Sequence, residues 1–168
     1  MHPPNLVGPY GFRRASEADL PLLRRWLATP AVREWWDDDD PIDEDDLADG
    51  RVALWIVSHG GRPFAYLQDY DPHGWPDHVF GHLPPGSRGI DQFIGEPEMI
   101  GRGHGSAFVR AHVDALFAAG APAVGTDPHP DNARAIRAYE KAGFTRGEVR
   151  ESEGGRCLLM TRYAPAGP

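Results

Sequence analysis

The run Asn132-Ala133-Arg134-Ala135-Ile136-Arg137-Ala138-Tyr139-Glu140-Lys141-Ala142-Gly143-Phe144 says most about how this chain folds and what chemistry it carries. On a helix, Asn132, Ala135 and Tyr139 fall at i, i+3 and i+7, so an amide, a small residue and a phenol share one face. Gly143 stops that helix. Upstream, Ile100-Gly101-Arg102-Gly103-His104-Gly105-Ser106 leads into a segment with Phe108, Val109, Val113, Leu116 and Phe117 at helical spacing. A glycine-rich loop that opens a helix presents unpaired backbone N–H groups to an anion.

Outward from these two helices the remaining pattern is mostly β. Residues 1–9 read as a flexible arm, and Tyr10 to Ala15 as an entry strand. Ser16-Glu17-Ala18-Asp19 resembles a capping box with Asp in place of Glu, and Leu20, Leu23 and Leu27 form the expected buried stripe of the next helix, which Pro30 ends. A short helical piece follows through Val32 and Trp36. Arg51 to Ser58 and Pro63 to Asp69 are β-rich, with His59-Gly60-Gly61-Arg62 as a hairpin turn. The connection from Tyr70 to Ser87 is long and aromatic, and connections of that length usually serve function. Further strands are expected at Arg88 to Ile94, Ala123 to Thr126, Thr145 to Arg150 and Arg156 to Tyr163. This order predicts an α/β (α+β) fold: one domain over residues 10–164, built on a mixed, mostly antiparallel central sheet with helices on both faces, and a short tail at 165–168.

Composition narrows the function classes. The chain has 168 residues and a formal net charge of -8, which argues against nucleic-acid binding through phosphate contacts and fits a cationic partner or simple solubility. Much of the acid lies in Asp37-Asp38-Asp39-Asp40-Pro41-Ile42-Asp43-Glu44-Asp45-Asp46, either a solvated run or an attractor of polycations. Pro41 and Ile42 stand where a calcium loop needs its glycine turn. No stretch suits a membrane span, and the start is not a secretory signal, so a cytoplasmic protein is expected. Cys157, the single cysteine, excludes an internal disulfide and reads as buried filler in an apolar strand. His78 and His82 have metal-pair spacing, but Gly81, Pro84 and Pro85 oppose a helix there; no metal is expected.

With these residues in view the chain resembles the GNAT superfamily of acyl-CoA N-acyltransferases, and within it the aminoglycoside 6'-N-acetyltransferases. The likeness is densest from Arg88-Gly89-Ile90-Asp91-Gln92 through Asp127-Pro128-His129-Pro130-Asp131-Asn132 to Phe144, with a weaker extension back through Glu34-Trp35-Trp36. Ile100 stands where the superfamily's pyrophosphate motif has Gln or Arg, while Gly103 and Gly105 keep their places.

The resemblance implies a cytoplasmic, acetyl-CoA-dependent N-acetyltransferase that passes an acetyl group directly to a cationic primary amine, foremost an aminoglycoside 6'-amine, and contributes to antibiotic resistance. Other acceptors of the same machinery are a siderophore lysine derivative, a polyamine or a protein amine; a non-catalytic acyl-CoA sensor is the reading from outside enzymology. It implies CoA pyrophosphate on Gly101, Arg102, Gly103, His104, Gly105 and Ser106, the pantetheine arm beside Asn132 and Ala135, and Tyr139 near the thioester sulfur. Backbone amides around Phe93 and Ile94 are the implied oxyanion donors. Asp91 is implied as the group that holds the ammonium and receives its proton, although an ordinary Asp near 3.9 and an alkylammonium near 10.4 differ by roughly six pKa units. Asp127 matches a second acceptor-site carboxylate or caps the turn at Pro128. Trp75, Asp71, His73 and Trp36 complete the implied acceptor site; the Trp35-Trp36 pair could equally anchor the core. Either a monomer or a homodimer is compatible with this reading, without nucleic acid or membrane as partner.

Overall fold

In the computed structural model, residues 5–36, 41–152 and 155–166 are described, and they form two compact units: residues 1–69 with 92–104, and residues 70–91 with 105–168. In the first unit, strands β1 (Asn5–Val7), β2 (Tyr10–Arg14), β3 (Val52–His59) and β4 (Arg62–Tyr70) lie in the order β1-β2-β3-β4. Part of the expected arm is therefore a strand: Asn5 to Val7 pair antiparallel with Phe12 to Tyr10. The glycine hairpin is as expected, since Gly60 and Gly61 both take positive φ (55° and 83°), the twist that matches two right-twisted strands.

The first helix follows a three-residue 3-10 turn. The Ser16 N–H donates to Asp19 at 2.9 Å, and Arg13 clamps the same carboxylate through two nitrogens at 2.7 Å each. In α1 (Leu20–Leu27) the buried stripe is Leu20, Leu23 and Trp26, with Leu27 only half-buried. The helix rolls so that the larger indole takes the interior, which a reading by leucine spacing overlooks. Val32 of α2 (Pro30–Arg33), Ile42, Leu54, Ile56, Tyr66 and Phe93 complete this core.

The end of the acidic run is a helix start. The Asp43 carboxylate accepts from the N–H groups of Asp45 (2.9 Å) and Asp46 (3.2 Å) and caps α3 (Glu44–Ala48), where acids in the first turn oppose the helix dipole. Asp37 to Asp40 lie outside the described residues.

The second unit orders its strands β5-β6-β8-β7, with β5 (Arg88–Ile94) entering it at Arg88, then β6 (Ala123–Thr126), β7 (Thr145–Ser152) and β8 (Gly155–Tyr163). Only β5 and β6 run parallel; β6–β8 and β7–β8 are antiparallel, so the sheet is mixed and mostly antiparallel, as expected. Helix α4 (His104–Ala118) buries Phe108, Val109, His112 and Val113. Helix α5 (Ala133–Lys141) buries Ile136 and Tyr139 and closes at Gly143 (φ 100°), after which the Phe144 N–H donates to the Tyr139 carbonyl at 3.0 Å.

Candidate active site

The second unit gathers the chemistry. Parallel pairing of β5 and β6 sets Arg88 beside Val124 and Gly89 beside Gly125. The Thr126 hydroxyl donates to the Ile90 carbonyl at 3.0 Å, one step further along the same register. Asp91, still within β5, and Asp127, just past the end of β6, each stand two residues beyond the Gly89–Gly125 pair, and the Asp91 charge acts on the Asp127 carboxyl. Alternation along each strand then puts Gly89, Gly125, Asp91 and Asp127 on one face, with Ile90 and Thr126 buried on the other. Two Gly-x-Asp segments thus stand side by side, each a bare glycine followed by a carboxylate.

The bare glycines make room for rings. A Cβ on Gly89 would overlap the Tyr70 ring, and a Cβ on Gly125 would come within 2.7 Å of Phe80. Tyr70 and Phe80 begin and end an aromatic run through the long connection. Tyr70 meets Trp75 edge-on at 5.8 Å and His78 at 5.3 Å, and His78 lies 5.9 Å from Phe80. The Phe80 N–H donates to His78 Nδ1 at 3.1 Å, which fixes that imidazole within the run. Asp71 and His73 stiffen the connection: the Asp71 carboxylate accepts the His73 N–H at 2.9 Å, capping a short turn at Pro72–Gly74, and His73 Nε2 bonds the Gly81 carbonyl at 3.1 Å.

Burial and charge act together on these groups. Desolvation, then the neighbouring Asp91 charge, pushes the Asp127 carboxyl up to about 8. Burial raises the Tyr70 phenol well above its usual range, reinforced by Asp91, Asp127, Tyr139 and Cys157. These are therefore the ionisable groups that surround Tyr70. Cys157 itself is buried among Phe80, Leu83, Ala123 and Leu159, as its apolar strand suggested. His78 is held below the usual histidine range by burial and by His73.

The helix stretch behaves in one respect differently from a simple face. Asn132 is the N-cap of α5, not a residue within it, and its side-chain oxygen accepts the Ala135 N–H at 3.3 Å. Ala135 and Tyr139 follow one turn apart on the helix, with Tyr139 buried edge-on to Phe144 at 5.6 Å. In the glycine loop, Gly101 and Gly103 take φ of 77° and 84°, and nothing lies within 4 Å of where their Cβ atoms would be. Backbone conformation, not crowding, demands glycine there. Gly101, Arg102 and Gly103 are exposed; His104, Gly105 and Ser106 are half-buried. His104 is tied by its Nδ1 to the Tyr10 hydroxyl at 2.8 Å and stacks near His59 at 4.7 Å.

Two expected site residues belong to the first unit's core. Phe93 is buried against Tyr66 (5.1 Å), Trp36 (5.1 Å) and Trp26 (6.3 Å), and Trp36 also meets Tyr66 edge-on at 5.9 Å. Trp36 thus packs as the core anchor that was its alternative reading, and Phe93 has only its backbone to offer; Ile94 is half-buried. Sequence reasoning missed Tyr70, His78 and Phe80. The available signal was the repeated Gly-x-Asp of Gly89 to Asp91 and Gly125 to Asp127, which becomes meaningful once the two strands are paired.

Comparison with known proteins identifies the family. The family model described as an acetyltransferase (GNAT) domain matches residues 15–151. The chain is 36% identical over 169 residues to the aminoglycoside N(6')-acetyltransferase type 1 of Klebsiella pneumoniae, covering 90% of this chain and 83% of that protein. A kanamycin resistance protein of Rhizobium radiobacter is 49% identical over 83 residues, covering 48% of this chain and 77% of that protein. Among solved structures, AAC(6')-Ib in complex with ribostamycin and coenzyme A superposes with a TM-score of 0.82 at 33% identity, covering 92% of this chain and 93% of that one. With a family model spanning most of its length and relatives of this likeness, the chain belongs to the GNAT acetyltransferase family and is an N-acetyltransferase.

Proposed function

We propose that this N-acetyltransferase takes its acetyl group from acetyl-CoA and delivers it directly to the 6'-amine of an aminoglycoside in the cytoplasm. The observation that carries the reading is the side-by-side pair Asp91 and Asp127 next to an aromatic connection, in a chain 36% identical to an aminoglycoside N(6')-acetyltransferase. Carboxylates beside aromatic faces suit a polycationic sugar, which they hold by charge and stacking. Trp75, with Asp71 and His73 stiffening the same connection, supplies the acceptor-side wall.

On the donor side, Gly101 to Ser106 offer main-chain N–H groups to the CoA diphosphate. Asn132, its oxygen already used as a cap, keeps its amide NH2 for the pantetheine arm beside Ala135. The amine nitrogen attacks the acetyl carbon and the C=O becomes an oxyanion, met by a backbone N–H at Phe93 or Ile94. The C–S bond then breaks, the thiolate leaves with the electron pair, and the Tyr139 hydroxyl protonates it. The ammonium proton passes to Asp91.

A thiol-release assay with acetyl-CoA across aminoglycosides, polyamines and hydroxylated lysine derivatives tests this. Aminoglycosides bearing a 6'-amine should react, and those with a 6'-hydroxyl should not. Release only with the polyamines or lysine derivatives would change the acceptor; no release with any amine, despite heat on CoA titration, would leave a sensor.

A further inference from the structure

The proton acceptor named above faces a mismatch of roughly six pKa units between an ordinary aspartate and an alkylammonium, equivalent to a factor of about a million against transfer. The geometry around Asp91 removes most of it. Asp91 does not stand alone: two residues before it and before Asp127 lie the paired glycines Gly89 and Gly125 under the aromatic run, and the Asp91 charge acts on the Asp127 carboxyl. Two neighbouring carboxylates, one in β5 and one just past the end of β6, partly withdrawn from water, cannot both ionise at ordinary cost.

We propose that Asp91 and Asp127 form a single two-carboxylate base: the doubly ionised pair receives the substrate's ammonium, and the proton it gives up is kept between the two carboxyls. The inference rests on the amine-acetylation reading and deepens it, replacing a one-residue base with a pair. The bookkeeping closes. An ammonium against a dianion becomes a neutral amine against a singly protonated pair, with no change in total charge; attack then proceeds, and the proton leaves to water after the product departs. With the Asp127 carboxyl at about 8, the gap to an amine near 10.4 shrinks to about two units, roughly a hundredfold in place of a millionfold.

Tyr70 from β4, Tyr139 from α5 and Cys157 from β8 are neutral or negative in any state. His78, in the connection, is biased toward its neutral form by burial and His73.

Two measurements decide the proposal. Carbon-13 NMR of labelled aspartate carboxyls in the unliganded protein should show one carboxyl titrating near 8, and Asp91→Asn should lower the Asp127 carboxyl while burial still holds it above the ordinary range. If both titrate in the ordinary range, there is no pair. In turnover, the acidic limb of the kcat/KM profile should move down by more than about one pH unit in Asp127→Asn, with the plateau reduced about 10- to 100-fold. A lower KM-side efficiency with an unmoved limb would make Asp127 a simple charge anchor and overturn the proposal. The carboxyl titration needs no substrate, so a protein that acetylates no amine would defeat the functional reading while the pair itself was still decided.

Discussion

The same device, a ring laid on a glycine in or just past a strand, occurs in both units with opposite surroundings. In the first unit Trp26 covers Gly95, and its neighbours Phe93, Leu23 and Leu54 are all buried hydrocarbon or aromatic. In the second, Tyr70 covers Gly89 and Phe80 covers Gly125, and each of those glycines is followed two residues on by an aspartate. Ring packing of this kind is therefore not what marks a site. What differs is the charge beyond the glycines: around Gly95 the ring lies among apolar neighbours, whereas in the second unit burial reshapes the proton affinity of Asp127 and Tyr70.

The contrast can be broken from either side. The largest effect is expected for Trp26→Ala, which leaves a cavity in the first core and should cost about 4 kcal/mol in denaturant unfolding. Activity per folded molecule should change little; a specific loss of turnover would tie that core to the chemistry. Gly89→Ala comes next, because the added methyl displaces Tyr70. It should cost about 2 kcal/mol and, unlike Trp26→Ala, also reduce turnover at least tenfold. Unchanged kinetics would show that the ring seat is merely structural.

Asp127→Asn sharpens the comparison through pH. The folded carboxyl keeps its proton up to about 8 while the unfolded one releases it near the usual value, so this group makes the protein less stable as pH rises between those limits. The variant lacks that loss. Its stability relative to the parent should grow steadily from pH 4 to pH 8, then level off. A flat difference in thermal unfolding would mean that Asp127 ionises normally. The smallest effect belongs to Asn132→Ala, which removes the α5 cap and should cost about 1 kcal/mol. Because the cap oxygen and the proposed ligand contact use different atoms, Asn132→Asp should retain the stability yet weaken CoA binding in calorimetry.

Asp19 offers an inverse control in the first unit. Hydrogen bonds from Arg13 hold its carboxyl below the usual range, so its contribution is present at neutral pH and lost as pH falls through that lowered value.

Much of this was legible locally. The glycine loop, the Asn132 to Gly143 helix and the Gly60-Gly61 hairpin follow from backbone preferences that act over a few residues: capping, positive φ and helical spacing. For Tyr139 and Asp91 local spacing fixed only a helix and a strand position; their roles came from the family resemblance. Leu27 was overrated because spacing alone does not weigh a leucine against the larger Trp26 one position earlier. The helix capped by Asp43 was hidden because a run of acids looks solvated until one of them turns back onto the backbone.

Long-range pairing contributed the rest. Gly89-Ile90-Asp91 and Gly125-Thr126-Asp127 are separated by more than thirty residues in the chain, and nothing in either segment says that they lie in register. Only the hydrogen-bonded strands place carboxylate against carboxylate and ring against glycine. Proton affinity depends on distance and on exclusion of water, so it belongs to that assembled arrangement and not to the aspartates as letters in a row.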